Sequence, residues 1–299
     1  MAYLGIDLGG TKIEIIALDT QGETLLRKRI KTPKESYQAI LQAIAELVHQ
    51  TEKQLGQVGT LGIGTPGSLS PKTGLLRNSN TVLLNGRPFK TDLEAILKRP
   101  VPIENDANCF ALSEAVDGAG EGAASVFGVI IGTGTGAGIV IQGKVLTGVN
   151  AIAGEWGHNP LPWPQPSELP GLDCYCGKKG CIETWLSGPG LARHFKLDYH
   201  KSLDARQIVA ASEQGDPEAE RALQAYEDRL ARGLSHVINI LDPEVIVLGG
   251  GLSNIQRLYK NVPKIWGNFI FSDCVCTQLL PPAHGDSSGV RGAAWLGMQ

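Results

Sequence analysis

Apolar positions along the 299-residue chain fall into short strand-like runs and longer stretches with helical spacing. YLGID is apolar up to Asp7, LGGTK is a glycine turn, and KIEIIAL alternates before the turn DTQGET and the run LLRKRI. Residues 3 to 30 therefore read as three short strands joined by two turns. A helix follows from about Ser36 to Leu55, with Ile40, Leu41, Ile44, Leu47 and Val48 at helical spacing. TLGIGTPGSL reads as a strand entering a Thr-Pro-Gly turn, followed by a polar loop holding Asn78, Asn80 and Asn85 and a short helix near Thr91. Residues 101 to 104 form another short strand, and Asn105-Asp106-Ala107-Asn108 opens the helix CFALSEAVDG.

The second half starts the same way. ASVFGVIIGTGTGAGIVIQGKVLTG reads as strand, glycine turn, strand, tight turn, strand, and its alternation coincides with that of residues 3 to 30. This weak internal repeat points to two lobes of common design. Helices are predicted at about 187 to 197, 204 to 213 and 217 to 240, the last broken by Leu241-Asp242-Pro243. EVIVLGGG is a buried strand running into glycines; a helix near 254 to 268, a strand pair and a terminal helix from about Ser288 complete the chain. Small residues on one face of that last helix predict close packing on the first lobe. The expected architecture is α/β, two lobes with a cleft between. The small lobe spans residues 1–112 plus the terminal helix 288–299, and the large lobe spans 113–287.

Composition narrows the class. Hydrophobic content of 42% with 19% charged residues describes a globular protein, and no apolar run approaches the ~20 residues of a membrane span. A net charge of -3 without a basic cluster argues against a nucleic-acid partner. The opening MAYLGIDLGG has no charged n-region, apolar h-region or cleavage site, so a cytoplasmic location is expected.

The densest chemistry lies between Gly154 and Glu183. His158, Cys174, Cys176 and Cys181 make a tetrahedral zinc set, because thiolate sulfur and imidazole nitrogen are what this borderline-soft ion prefers. Four protein ligands leave no open position, which makes the metal structural. Disulfides are the alternative for six cysteines, but a reducing cytosol favours metal for a cluster. Cys274 and Cys276 read as alternate positions of a strand and Cys109 as a small core residue, all three inert. Glu155, His158 and Glu183 gather hydrogen-bonding groups around the metal loop, which suits recognition of several hydroxyls. A zinc-bound His158 could offer its other ring nitrogen to a ligand.

Two glycine turns resemble phosphate motifs without matching them. Gly132-Thr-Gly134-Thr-Gly-Ala137 fits the dinucleotide fingerprint, but the run after it alternates as a strand where a helix is required. The near-Walker run ending in Gly143-Lys144 continues with Val145, where a Ser or Thr is needed for magnesium. The turns remain as presenters of backbone N–H groups and of the Thr11 and Thr133 hydroxyls to phosphate oxygens. A need for glycine at positive φ explains either turn alone; the pair, one per lobe, suits a triphosphate. Asp7 ends its strand beside the first turn, a natural place to hold Mg²⁺ through water. Asp106, at a strand end and a helix start, reads equally as a functional carboxylate or an N-cap. A polyol site beside a triphosphate clamp implies phosphoryl transfer.

DLGGTK (7–12), GTPG (64–67), NDAN (105–108), IIGTGTGAG, GEWGH (154–158), CYCGKKGCIE and LGGG (248–251) together resemble the ROK family of repressors, open reading frames and sugar kinases. The motifs run in order along essentially the whole chain. The resemblance implies an actin- and hexokinase-like fold of two ribonuclease-H-like lobes with a zinc-binding loop. It implies that Asp106 is the general base, and that Asn105, Glu155, His158 and Glu183 bind sugar hydroxyls. Gly9, Gly10, Thr11, Lys12 and Thr133 would lie along the ATP phosphates, and Gly249, Gly250 and Gly251 against adenosine. ATP, Mg²⁺ and a structural Zn²⁺ are the implied cofactors, and a homodimer the implied assembly. With DLGGTK starting at residue 7, no room is expected for a repressor's DNA-binding helices, which favours a kinase over a regulator. EWGHNPLPW, GSLSPKTG and LNGRPF look most like the family's bacterial fructokinases that also accept mannose. The expectation is therefore an ATP:hexose 6-phosphotransferase making fructose 6-phosphate from D-fructose, with mannose secondary. N-acetylglucosamine kinase, glucokinase and a non-catalytic sugar sensor are the alternatives.

Overall fold

Three consecutive strands, β1 (Tyr3–Leu8), β2 (Lys12–Leu18) and β3 (Thr24–Lys31), pair antiparallel, as the alternation in the sequence requires. The computed structural model describes residues 1–285 and 288–299. After β3 the chain forms helix α1 (Tyr37–Leu55), strands β4 (Thr60–Thr65), β5 (Ser68–Leu69) and β6 (Leu76–Arg77), helix α2 (Phe89–Leu97), strand β7 (Ile103–Asn105) and helix α3 (Asp106–Val116). The first sheet has the order β3-β2-β1-β4-β7, with β4 parallel to both β1 and β7. Helix α1 starts where Ser36 accepts a hydrogen bond from the Ala39 amide and stops at Gly56, whose φ is +68°. Its apolar stripe, Ile40, Leu41, Ile44, Leu47 and Val48, is buried as expected.

The second sheet repeats this plan. Strands β8 (Ser125–Ile131), β9 (Thr135–Ile141) and β10 (Lys144–Val145) follow one another in sequence. After a long excursion come helices α4 (Ile182–Leu186), α5 (Gly188–Tyr199), α6 (Ala205–Glu213) and α7 (Pro217–Leu241), strand β11 (Val245–Gly249), helix α8 (Arg257–Trp266) and strand β12 (Gln278–Leu280). The sheet order is β10-β9-β8-β11-β12, with β11 parallel to both β8 and β12. In each sheet, three consecutive strands are extended by two that arrive through crossovers. The repeat legible in the alternation is thus a repeat of topology.

The chain divides into two compact units, one of Met1–Gly122, Gly138–Ala153 and Ala283–Gln299, the other of Ala123–Ala137 and Gly154–Pro282. Among the described residues no helix is long and apolar enough to cross a membrane. In the second unit, α7 anchors the proline-rich segment ahead of the cysteines. Arg232, 1% exposed, donates to both oxygens of Glu168 at 2.8 and 2.9 Å and to the Trp163 carbonyl at 2.8 Å. Burial alone would raise the Glu168 carboxyl, but hydrogen bonds from Arg232 and Arg229 outweigh it and hold the group down at about 2.

Two expectations for the C-terminal part fail. The strand pair is a single strand, β12, and Cys274 and Cys276 are exposed in irregular chain before it. Asn239 binds the Phe269 carbonyl at 2.8 Å and the Phe271 amide at 2.9 Å, and Ser272 Oγ donates to the Cys274 carbonyl at 2.6 Å. These local bonds hold the backbone in turns, so the alternating run finds no ladder partner.

Helix α9 (Ser288–Leu296) returns to the first unit and packs on β1, β4 and α3. The packing is at backbone distance: a Cβ on Gly292 would lie 1.6 Å from the Cys109 carbonyl oxygen, and one on Gly5 would lie 2.2 Å from that of Val290. Gly289, on the same helix, has no atom within 4 Å of its Cβ position. Gly292→Ala is expected to cost about 3 kcal/mol or more by forced separation of α3 and α9. Gly289→Ala is expected to be neutral or to gain up to ~1 kcal/mol. Urea denaturation of the two variants measures both.

Candidate active site

In the first unit the predicted residues gather at the C-terminal ends of parallel strands. Asp7 of β1 lies in register with Gly64 of β4, and Thr65 of β4 with Asn105 of β7. Strand ends of this kind are where open α/β sheets bind ligands. The turn after β1 is closed by the Gly9 amide donating to the Lys12 carbonyl at 2.9 Å. It is braced from outside by Thr32, whose hydroxyl donates to the Gly9 carbonyl at 2.7 Å and whose amide donates to that of Thr11 at 3.1 Å. Gly10 and Thr11 are left facing solvent. Lys12 Nζ stands 3.8 Å from the buried carboxylate of Glu14, which Arg27 and Arg29 also hold.

Asp7 is mostly buried, and its carboxyl is pushed from the ordinary 3.8 to about 6, by burial first and then by the negative charge of Asp106. Lys12 opposes that shift without cancelling it. The cap of α3 falls to Asn105 and not to Asp106. Asn105 is the N-cap of α3, its Oδ1 accepting from the Asn108 amide at 2.8 Å, while Asp106 is the first helical residue and is exposed. Asp106 Oδ1 accepts from the adjacent Ala107 amide at 2.9 Å. Glu104, which no sequence motif singled out, accepts from Asn108 Nδ2 at 2.8 Å and from Thr147 Oγ1 at 2.7 Å, bracing the start of α3.

In the second unit the four expected metal ligands come together. The ligand atoms of His158, Cys174, Cys176 and Cys181 all lie within 4.8 Å of one another. Cys176 and Cys181 sulfurs are 3.6 Å apart, and Cys174 sulfur is 3.6 Å from His158 Nδ1. A tetrahedron with Zn–S bonds of ~2.3 Å has edges of ~3.8 Å, so the donor set fits zinc in kind and in spacing. The backbone forms this cradle by zipping up. Cys174 N donates to the Lys178 carbonyl at 2.8 Å, Leu161 N to that of Gly180 at 3.0 Å, and Ile182 N to that of Asn159 at 2.8 Å.

The hydroxyl-binding candidates flank the cradle. Glu155 is exposed beside a single helical turn, Trp156–His158, that is anchored by the buried Trp156 indole on the Gly233 carbonyl at 3.3 Å. Glu183 stands in the first turn of α4, one oxygen accepting from the Thr135 amide at 2.9 Å. His158 Nε2, which the sequence suggests could face a ligand, is 2.8 Å from the Tyr175 hydroxyl. Partial desolvation of that phenol oxygen, on an otherwise exposed side chain, and then the charges of Glu183, Cys174 and Glu155 push Tyr175 up to about 12.

Thr133 is exposed in the turn closed by Gly132 N donating to the Gly134 carbonyl at 2.9 Å. Gly250 has φ +80° and ψ 176°, and a Cβ there would meet the Ile131 carbonyl oxygen at 2.6 Å, so only glycine fits after β11. Gly132, Thr133 and Gly251 line a cavity of about 490 Å³ together with Gly188, Asp204 and Arg206. That volume lies within the ~300–1,000 Å³ range of small-molecule sites. No sequence motif pointed to the last three residues. The run D-x-x-Q at 204–207 does signal the capping box that starts α6, but a cap signature says nothing of what the helix end faces. A larger hollow of about 690 Å³ in the first unit, around Arg99 and Gln299, contains none of the predicted residues.

The sequence model of the ROK family matches residues 3–299. The chain belongs to the ROK family. It is 42% identical over 301 residues to an N-acetyl-D-glucosamine kinase of Vibrio cholerae, covering 99% of this chain and 100% of that protein. Among solved structures, a ROK hexokinase from Thermus thermophilus superposes with a TM-score of 0.87 at 32% identity, covering 99% of this chain and 97% of that one. A ROK family glucokinase from Streptomyces griseus, in complex with glucose and AMPPNP, superposes at 0.76 with 28% identity and 99% coverage of both chains. The two-lobed ROK and hexokinase-like fold expected from the motifs is therefore the fold of this chain.

The chemistry of the site sets two expected outcomes. Cys176→Ser is expected to reduce bound zinc from one per chain to well below that, read by elemental mass spectrometry, because three donors hold the ion far more weakly than four. Full zinc content in the variant would sink the ligand assignment. Asp7 sets a pH dependence whose sign is fixed by its raised pKa. The folded state carries the cost of the buried charge above pH 6 and loses it as pH falls through 3.8. Without magnesium or nucleotide, Asp7→Asn is expected to be more stable than the wild type at pH 8, on the order of 3 kcal/mol. The gain shrinks toward zero near pH 4, and urea titrations at the two pH values test it.

Proposed function

We propose that this chain is an ATP-dependent sugar kinase that phosphorylates the 6-hydroxyl of N-acetyl-D-glucosamine. The observation that carries the reading is the full-length 42% identity to the Vibrio cholerae protein of that name, with a 40% identical Escherichia coli protein of the same name beside it. The motifs EWGHNPLPW, GSLSPKTG and LNGRPF lean toward D-fructose, with mannose second. Three short segments weigh less than likeness along 99% of the chain.

In this reading Asp106 accepts the proton of the 6-hydroxyl as its oxygen bonds to the γ-phosphorus, the bond to the β-phosphate oxygen breaks and ADP leaves. Glu155, Glu183, His158 and Asn105 bind the other hydroxyls. Asn105 Oδ1 is engaged in the cap, so its contribution is a donor, Nδ2. Gly9 to Lys12 and Thr133 receive the phosphates, Gly249 to Gly251 the adenosine, and Asp7 holds Mg²⁺ through water. The cavity beside Gly251 adds Arg206 and Asp204 to the nucleotide's surroundings. The zinc holds the loop that carries His158 and positions Glu183.

ADP release with Mg-ATP across N-acetylglucosamine, fructose, mannose and glucose tests the reading, with the highest kcat/KM expected for N-acetylglucosamine. A clear preference for fructose would restore the motif-based assignment. Zinc-loaded protein that binds a sugar without turning it over would make the chain a sensor. Within the same assay, Asp106→Asn is expected to lower kcat by ~10²-fold or more with little change in sugar affinity.

A further inference from the structure

Tyr175 lies between two metal-site cysteines, and phosphoryl transfer itself gives it no task. Its side chain is 82% exposed, yet its hydroxyl is fixed 2.8 Å from His158 Nε2, with the two rings edge-on at 87° and their centroids 5.0 Å apart. His158 turns its other nitrogen, Nδ1, toward the sulfurs. A metal on Nδ1 leaves the ring proton on Nε2, so Nε2–H donates to the phenol oxygen. The phenol proton is then left to donate to a different acceptor.

His158, Glu183 and Glu155 are the groups proposed to bind sugar hydroxyls. A phenol, like a sugar hydroxyl, accepts one hydrogen bond and donates another. We propose that the Tyr175 hydroxyl occupies a sugar-hydroxyl position of the binding site, accepting from His158 Nε2, and that the sugar must displace it to bind. The inference rests on the sugar-kinase reading and adds a residue that sets sugar affinity and selectivity. Displacement requires only side-chain rotation. The backbone on both sides is pinned by Cys174 and Cys176 and by the turn in which Gly177 N donates to the Cys174 carbonyl at 3.0 Å. The ring is already in solvent, so rotating it sacrifices little packing. What the sugar must replace is one hydrogen bond, equivalent to roughly threefold to tenfold in affinity. A ligand without a hydroxyl at that position breaks the Tyr175 bond and returns nothing, so Tyr175 favours correctly hydroxylated sugars.

The test is calorimetric titration of N-acetylglucosamine, fructose, mannose and glucose, without nucleotide, into zinc-loaded wild type and Tyr175→Phe. The variant keeps the ring and loses the hydroxyl. Expected is a Kd roughly three to ten times lower in Tyr175→Phe for the sugar that wild type binds best, with KM falling in parallel, kcat unchanged and one zinc per chain in both proteins. A Kd that is equal or higher in the variant overturns the inference while leaving the kinase reading intact. Wild-type protein that binds none of the four sugars overturns both.

Discussion

Three sulfurs and an imidazole within 4.8 Å of one another form an arrangement that the chain cannot hold as thiolates without a cation. Burial raises the thiol of Cys174, and burial with its neighbours pushes Cys181 up to about 12, so without metal these two stay protonated. A dication reverses that balance, because a coordinated thiol is deprotonated outright. The consequences spread outward from there. With Nδ1 on the metal, His158 has one tautomer and a single outward donor. The fold of Pro160 against Cys181 sets where α4 begins, and hence where Glu183 stands on the Thr135 amide. The buried Arg232–Glu168 pair fastens the proline-rich segment to α7, so the loop is held at the metal and at the helix.

The parallel strands of each sheet solve a similar problem. Parallel strands that end side by side expose their last residues in a row, and ligand-binding groups placed there are fixed by the ladder itself. Asp7 and Gly64 occupy one such row in the first unit, and Thr65 and Asn105 the next. In the second, Gly249 ends β11, and Gly250 turns the chain so close to the end of β8 that a Cβ there would lie 2.6 Å from the Ile131 carbonyl oxygen. Glycine recurs at these ends because backbone must approach backbone or a ligand, the constraint that also brings α9 against α3 at Gly292.

Much of this is legible in the sequence because the signals are local. An apolar run ending at Asp7 gave β1, alternation gave β2 and the strands of its repeat, helical spacing gave α1, and the Cys-x-Cys and Cys-x₄-Cys spacings with one histidine gave the metal set. The misses are non-local. Cys274 and Cys276 alternate like a strand, but a strand needs a partner, and Asn239, 35 residues before Cys274, ties the backbone into turns instead. The Glu104 bond to Thr147 and the lining of the cavity at Gly132, Thr133 and Gly251 by Arg206 join residues with no sequence relation. Asn105 and Asp106 are both good N-cap residues, and composition alone could not say which would take the cap. Sugar preference was the hardest feature to read, because three short motifs leaned toward fructose while the likeness along the whole chain is to N-acetylglucosamine kinases.

Asp7 shows what such a site costs the fold. A carboxyl at a strand end, largely buried and facing Asp106, is disfavoured as an anion, and that is why it is held near 6. An asparagine there would remove the charge and strengthen the empty protein. In the proposed kinase reading it would also remove the negative oxygen that holds a hydrated magnesium ion beside the phosphates. The cation in turn stabilises the ionised form and draws the pKa back down. In that reading the cost at Asp7 is conditional, present in the free protein and relieved when Mg-ATP binds. That makes it part of the binding energy for nucleotide, and a site optimised for stability alone would not contain it.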